Sequence, residues 1–250
     1  MDTVNRPEYL LLEFAQKIYD DTSVISVPDR SRNIVKAVSF YHLQRARTIL
    51  KSICILFKEK QFPDVPVLVR TLLEIYVRIS WILKDNQIEK AQRYADMDEV
   101  LRIRAVLKTK ANIEEFLKTA EEDFKKQYDK ALETAKKYKV NILSNKKWNP
   151  TSIKEMATDL GYTYEYNVLY DHLSERCHIG PVSSFDYYNI GNYGIAIRPE
   201  GNKTLLFFSI DYSIKTWAIT CKGMGAFFKD VTYARMEFSK LVQTLLPVNN

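Results

Sequence analysis

The chain has 250 residues, of which 46% are hydrophobic and 27% charged, and it carries a formal net charge of +6. That composition excludes a disordered polymer and supplies a core that needs neither a disulfide nor a metal staple. The longest run without a charged residue, Tyr187 to Ile197, is far short of the roughly 18 apolar residues of a membrane span, so a soluble chain with no membrane partner is expected. The first residues, Met1-Asp2-Thr3-Val4-Asn5-Arg6, lack the basic and apolar segments of a secretory leader. Cys54, Cys177 and Cys221 are an odd, widely spaced set that suits reduced buried thiols, and a cytoplasmic location is expected.

Helices dominate the reading in chain order. Leu10, Leu11, Phe14 and Ile18 mark a first helix over about 7–19. A longer one follows Pro28-Asp29, with Val35, Val38, Ile49, Ile53 and Leu56 on its inner stripe. Pro63 and Pro66 open a third, Val67 to about Leu83, apolar around nearly its whole circumference and therefore central. No glycine or proline occurs from Val67 through Asn149, and all seven glycines follow residue 160. Only long helices tolerate such a stretch.

Residues 86–139 read as an antiparallel helical arm, two helices joined near Thr109 to Asn112. Ile113, Leu117, Ala120, Phe124, Tyr128, Ala131, Ala135 and Tyr138 follow the period of a coiled-coil seam. Covering that seam calls for a second copy, so a homodimer is expected, with a light-scattering mass twice the 29.3 kDa of one chain. After Trp148-Asn149-Pro150, Ser152 and Glu155 have capping-box spacing for a short helix ending at Gly161. Another helix spans about 164–179. Residues 194–197 and 204–208 predict a short hairpin around Pro199-Glu200-Gly201-Asn202, and a final helix covers about 211–246. The fold class is mainly α: a single-domain helical bundle over 1–250, with a long arm and one short β-hairpin near 194–208.

Charge concentrates in the arm. Residues 101–150 hold 13 Lys and Arg against 7 Asp and Glu, a difference of six that equals the net charge of the whole chain. Arg102, Arg104, Lys108, Lys136 and Lys137 are candidate nucleic-acid contacts, since neutralised phosphates release counterions. Their interspersed acidic neighbours favour the simpler reading of a solvated helix face.

Two constellations carry candidate chemistry. Arg70, Glu74 and Arg78 repeat every four residues on the otherwise apolar third helix. Charges there must find partners, either in a polar pocket or in an internal ion ladder. Tyr166, Tyr170, Ser174 and His178 repeat every four residues on the 164–179 helix, with Asp171 and Glu175 beside them. His178 at the helix C-terminus is placed to be a proton donor or an anion contact, or else a capping histidine. The charged groups of the two rows need one another, so the helices are expected to pack together. No metal or other cofactor is expected: Glu175 and His178 form one Glu-x-x-His, and neither His42 nor His172 supplies the second that a di-iron bundle needs.

The blocks Leu68-x-Arg70-x-Leu72-Leu73-Glu74, Trp148-x-x-x-Ser152-Ile153-x-x-Met156-Ala157-x-x-Leu160-Gly161 and Tyr166-x-x-x-Tyr170-x-x-x-Ser174-x-x-x-His178 resemble an uncharacterised bacterial helical family, a domain of unknown function, over about residues 30–210. That resemblance implies an all-helical fold and mobile or defence-associated settings. The chain also resembles, more distantly, the HEPN superfamily of helical ribonucleases and toxins, whose members pair an Arg and a His four to six residues apart on one helix. No Arg stands at that spacing before His178, His172 or His42. A HEPN-type site here requires Arg70 or Arg78 to replace the missing one from another helix. Two functions follow: metal-independent RNA cleavage by His178, Arg70, Glu74, Arg78, Tyr170 and Ser174 in defence or stress response, or a non-catalytic sensor or adaptor binding a ligand or protein partner.

Overall fold

The computed structural model describes residues 7–22, 33–143, 151–170, 173–174, 188–191, 194–197, 203–225 and 229–245. Its helices are α1 (Pro7–Asp21), α2 (Ile34–Lys58), α3 (Val65–Lys84), α4 (Gln87–Lys108), α5 (Ile113–Thr119), α6 (Glu122–Lys137), α7 (Ile153–Asp159), α8 (Thr163–Glu165), α9 (Lys203–Met224) and α10 (Lys229–Leu245). A 3-10 turn, Phe62–Asp64, precedes α3, and a π-helical turn, Tyr166–Tyr170, follows α8. The chain divides into two compact units, Met1–Lys84 with Ile153–Asn250, and Asp85–Ser152.

In the first unit, α3 is the central helix, packed against α2, α7 and α9. Eleven of its twenty residues are buried, among them Val65, Val69, Leu72, Leu73, Ile79 and Ile82. Burial of this kind stabilises by about 25 cal/mol for each Å² of apolar surface removed from water. The α2 stripe was legible at Val35, Val38, Ile49 and Ile53, all buried. Asn33 caps that helix by accepting the Lys36 backbone N–H at 3.0 Å, the bond that an N-cap side chain supplies.

Two expectations at the C-terminal end are corrected. Residues 204–208 are not a strand: they lie in α9, which begins at Lys203. A short apolar run fits either period, and burial of Leu205 and Leu206 in a helix decides this one. The hairpin forms instead between β1 (Tyr188–Gly191) and β2 (Gly194–Ile197), antiparallel, with Tyr188 opposite Ile197 and Gly191 opposite Gly194. Nor is 211–246 one helix. It ends at Gly225, whose φ of +65° is left-handed, and restarts at Lys229.

Close approach explains how α9 enters the core. Ser209, Ser213, Thr216, Thr220 and Gly223 follow one another at spacings of four and three, and the four hydroxyl residues are buried. Ser209, Ser213 and Thr220 turn their hydroxyls back to carbonyls of their own helix, four residues earlier. The small face lets α9 lie against α2 and α3. At Gly223 an added Cβ would stand 2.2 Å from Ser39 Oγ and 2.9 Å from Leu83 Cδ1.

The second unit is also helical. The joint near 109–112 falls where expected, but the following segment is two helices, broken at Ala120 and Glu121. Ala131 and Ala135 are buried on α6, which packs on α4. Phe116 and Phe124 meet edge to face at 5.2 Å across the α5–α6 break.

Gly223→Val is expected to cost about 2 kcal/mol or more, an overpacking loss larger than any gain in helix propensity. Thermal or urea unfolding checks it, and an unchanged midpoint would contradict the close packing described.

Candidate functional site on the central helix

Polar groups gather on one side of α3. Arg70 Nη2 lies 3.4 Å from Glu74 Oε1, and Arg78 Nη2 lies 3.8 Å from Glu74 Oε2, so one carboxylate serves two guanidiniums. All three side chains remain between 23% and 28% exposed. The π-helical turn adds a third kind of group. Arg70 Nη2 donates to the Tyr170 hydroxyl at 2.5 Å, and that hydroxyl donates to Glu74 Oε1 at 3.1 Å. Burial pushes the Tyr170 phenol above its usual range, with the Arg70 hydrogen bond acting the other way. The phenol therefore stays protonated at neutral pH and can hold both bonds at once.

Three pins, in opposite order along the two segments, align this stretch antiparallel to α3. Lys84 Nζ donates to the carbonyl of Asp159 at 2.7 Å and pairs with its carboxylate at 3.0 Å. Tyr76 donates to the Tyr162 hydroxyl at 2.6 Å, with the two rings stacked at 5.2 Å. Tyr170 closes the series against Arg70 and Glu74. Gly161 makes the sequence of pins possible. Its φ of +80°, with Tyr162 N–H on the carbonyl of Ala157 and Gly161 N–H on that of Thr158, is a Schellman stop that turns the chain after α7.

Of the second row, Tyr170 meets the first, through its bonds with Arg70 and Glu74. Asp171, Glu175 and His178 lie outside the described residues, as does His172. Ser174 is described, and its hydroxyl is buried without a hydrogen-bond partner among the described residues. The Nε of Arg78 is likewise buried without an acceptor there. Tyr162 and Tyr76 were not singled out from the sequence, although Tyr162 continues the four-residue repeat upstream of Tyr166.

Arg78 also bears on His42 of α2, a fully buried imidazole whose Nδ1–H donates to the carbonyl of Val38 at 2.8 Å. Burial first, and the nearby Arg78 charge besides, hold His42 down to about 4. It is a neutral core histidine.

The candidate basic residues of the second unit separate by environment. Arg104 is corrected from a surface contact to a core group: it is 5% exposed, and its Nε donates to the carbonyl of Ile142 at 2.7 Å. It shares the inner side of α4 with Met97, Val100 and Leu107, which a count of charges does not reveal. Arg102 is exposed and pairs with Asp98 at 2.5 Å. Lys137 pairs with Asp96 at 3.0 Å, and Asp96 also accepts from Tyr138 at 2.7 Å. Lys108 and Lys136 are exposed. Among the described residues no three His, Cys, Asp or Glu side chains converge as metal ligands, and no helix is long and apolar enough to cross a membrane.

The fold and site define a helical protein whose central helix carries a tyrosine-pinned Arg-Glu-Arg row. The chain belongs to a family of unknown function (DUF5677), whose model matches residues 36–194 and so spans all three sequence blocks. No curated protein and no solved structure matches it.

Acid stability tests the buried histidine. The unfolded imidazole titrates near 6.5 and the folded one near 4, so between these values the unfolded state binds more protons. Stability is full above about pH 6.5 and falls toward pH 4, by about 3 kcal/mol in all. In urea unfolding at about pH 7 and about pH 4.5, His42→Gln should lose clearly less on acidification than the native chain. Equal losses would contradict the assignment.

Proposed function

We propose that this chain is a metal-independent ribonuclease, with its phosphodiester held along Arg70, Glu74 and Arg78 and with His178 as general acid or base. The observation that carries the reading is geometry: two part-exposed guanidiniums flank one carboxylate on a single face of α3, with the Tyr170 hydroxyl beside them. A phosphate is the ligand that such a pair recognises by charge and by forked hydrogen bonds.

The chemistry assigns each group a task. In RNA cleavage the 2′-hydroxyl attacks the adjacent phosphorus and the P–O5′ bond breaks. A base takes the 2′ proton and an acid returns one to the leaving oxygen. Arg70 and Arg78 stabilise the phosphorane-like charge, Glu74 positions both guanidiniums, Tyr170 and Ser174 position the RNA, and His178 transfers the proton. This is the arrangement that a distant HEPN likeness requires once its Arg and His are divided between helices. Within the second unit, exposed Arg102, Lys108 and Lys136 are separate candidate phosphate contacts. A toxin or defence role fits an activity of this kind.

A second reading has its own observation. The Tyr170 hydroxyl accepts from Arg70 and donates to Glu74, so these three side chains engage one another, as in the core of a sensor or adaptor.

Cleavage of a labelled RNA by the purified chain separates the two. On the ribonuclease reading, His178→Ala lowers the rate by about 10²- to 10⁴-fold, while the melting temperature stays nearly unchanged, since an imidazole at a helix end contributes roughly 1 kcal/mol. A chain that never cleaves RNA, and that unfolds on His178→Ala, would leave the sensor or adaptor.

A further inference from the structure

The first and last helices of the first unit leave a groove between them. α1 and α10 run antiparallel: Phe14 stacks on Phe238 at 5.7 Å, and Lys17 pairs with Glu237 at 2.5 Å while standing over the Tyr233 ring. Beside these contacts a cavity of about 510 Å³ is walled by Leu10 and Glu13 of α1 and by Met236, Lys240 and Leu241 of α10. α10 thus carries two apolar stripes. Val231, Ala234 and Phe238 are buried. Tyr233, Met236 and Leu241 line the groove instead, and Tyr233 and Met236 stay 58% and 55% exposed. Single exposed apolar residues are common on any surface, but several lining one groove mark an interaction face.

Charge identifies what covers it. The groove holds two acids, Glu13 and Glu237, and two bases, Lys17 and Lys240, so it selects neither a strongly acidic nor a strongly basic partner. Lys17 and Glu237 serve each other. Glu13 and Lys240 are exposed, one on each helix, and neither forms an ion pair among the described residues. One unpaired acid and one unpaired base are matched by a two-fold contact, in which residue i of one copy meets residue j of the other and the reverse. We propose that a second copy of this chain docks on the α1–α10 groove about a two-fold axis, with Met236 and Leu241 at its apolar centre and Glu13 of each copy facing Lys240 of the other. Helices of 15 and 17 residues present a face roughly 25 Å long and about 20 Å wide, on the order of 500 Å² per copy, which is below the standard interface and sets a micromolar dimer. The proposal is independent of the α3 row. The seam along residues 113–138, where the sequence pattern put a second copy, lies in the other unit and plays no part in it.

Sedimentation equilibrium from about 1 to about 100 µM, at about 0.05 M salt so that screening is weak, tests this. The native chain should rise from the 29.3 kDa of one copy towards twice that mass. Met236→Glu should weaken the association about tenfold or more, by placing charge at the apolar centre. Glu13→Lys and Lys240→Glu each bring like charges together and should each weaken it to a similar degree, about tenfold. Mixed in equal amounts, these two variants should pair with each other, since both contacts then join an acid and a base again. All three positions are exposed, so each variant should melt like the native chain. A native chain still monomeric at about 100 µM, a dimer that survives Met236→Glu, or charge variants that fail to pair when mixed, overturns the proposal. If Met236→Glu does not fold, the mixing experiment decides alone.

Discussion

Charge on a buried helix is the constraint from which the rest of this molecule follows. An unpaired ion in a protein interior costs several kcal/mol even after relaxation, and Arg70, Glu74 and Arg78 sit on the central helix, where eleven of twenty residues are buried. Three solutions are combined on α3. The row keeps about a quarter of each side chain in water, one carboxylate serves both cations, and a tyrosine hydroxyl bridges Arg70 and Glu74. The last of these fixes the path of the chain after α7, because Tyr170 reaches the row only if the segment from Asp159 runs back along α3. Lys84 and Tyr76 pin that return at two earlier points. A stop at Gly161 between the pins is then a geometric necessity, and its left-handed conformation suits glycine.

The same compensation accounts for the function proposed. Two arginines on one part-exposed face of α3 present forked donors of the kind a phosphate accepts, at a place shielded enough for charge to act strongly.

How much of this was legible depended on which physical signal each part left in the sequence. The bundle was legible because Val35, Val38, Ile49 and Ile53 repeat at helical spacing and α3 is apolar all round. The row was legible because charges at i, i+4 and i+8 contradict an apolar helix. Other parts left no such mark. Lys60 and Lys139 adopt left-handed φ values of 56° and 53° and end α2 and α6 where glycine is the usual residue, so those stops carry no glycine signal. Leu205 and Leu206 belong to a four-residue apolar run that fits a strand as well as a helix, and only packing against α2 and α3 selects the helix. Arg104 reads as one more surface cation, since its inward position depends on which side of α4 is buried. The bond between Tyr170 and α3 joins residues 100 positions apart. The sequence showed that both rows needed partners and pointed to acidic side chains; it did not point to the phenol of Tyr170, which accepts from Arg70 and donates to Glu74.

The central claim is that Tyr170 and the α3 row act as one unit, and a double-mutant cycle of Tyr170→Phe and Glu74→Gln measures it. Each single change removes one side of the bond, and unfolding free energies in urea give the coupling between them. A hydrogen bond to a charged, part-buried carboxylate predicts a coupling of about 1 kcal/mol or more. Losses that add to within about 0.3 kcal/mol would show that the two residues are neighbours without being partners, and the account of the site would fail.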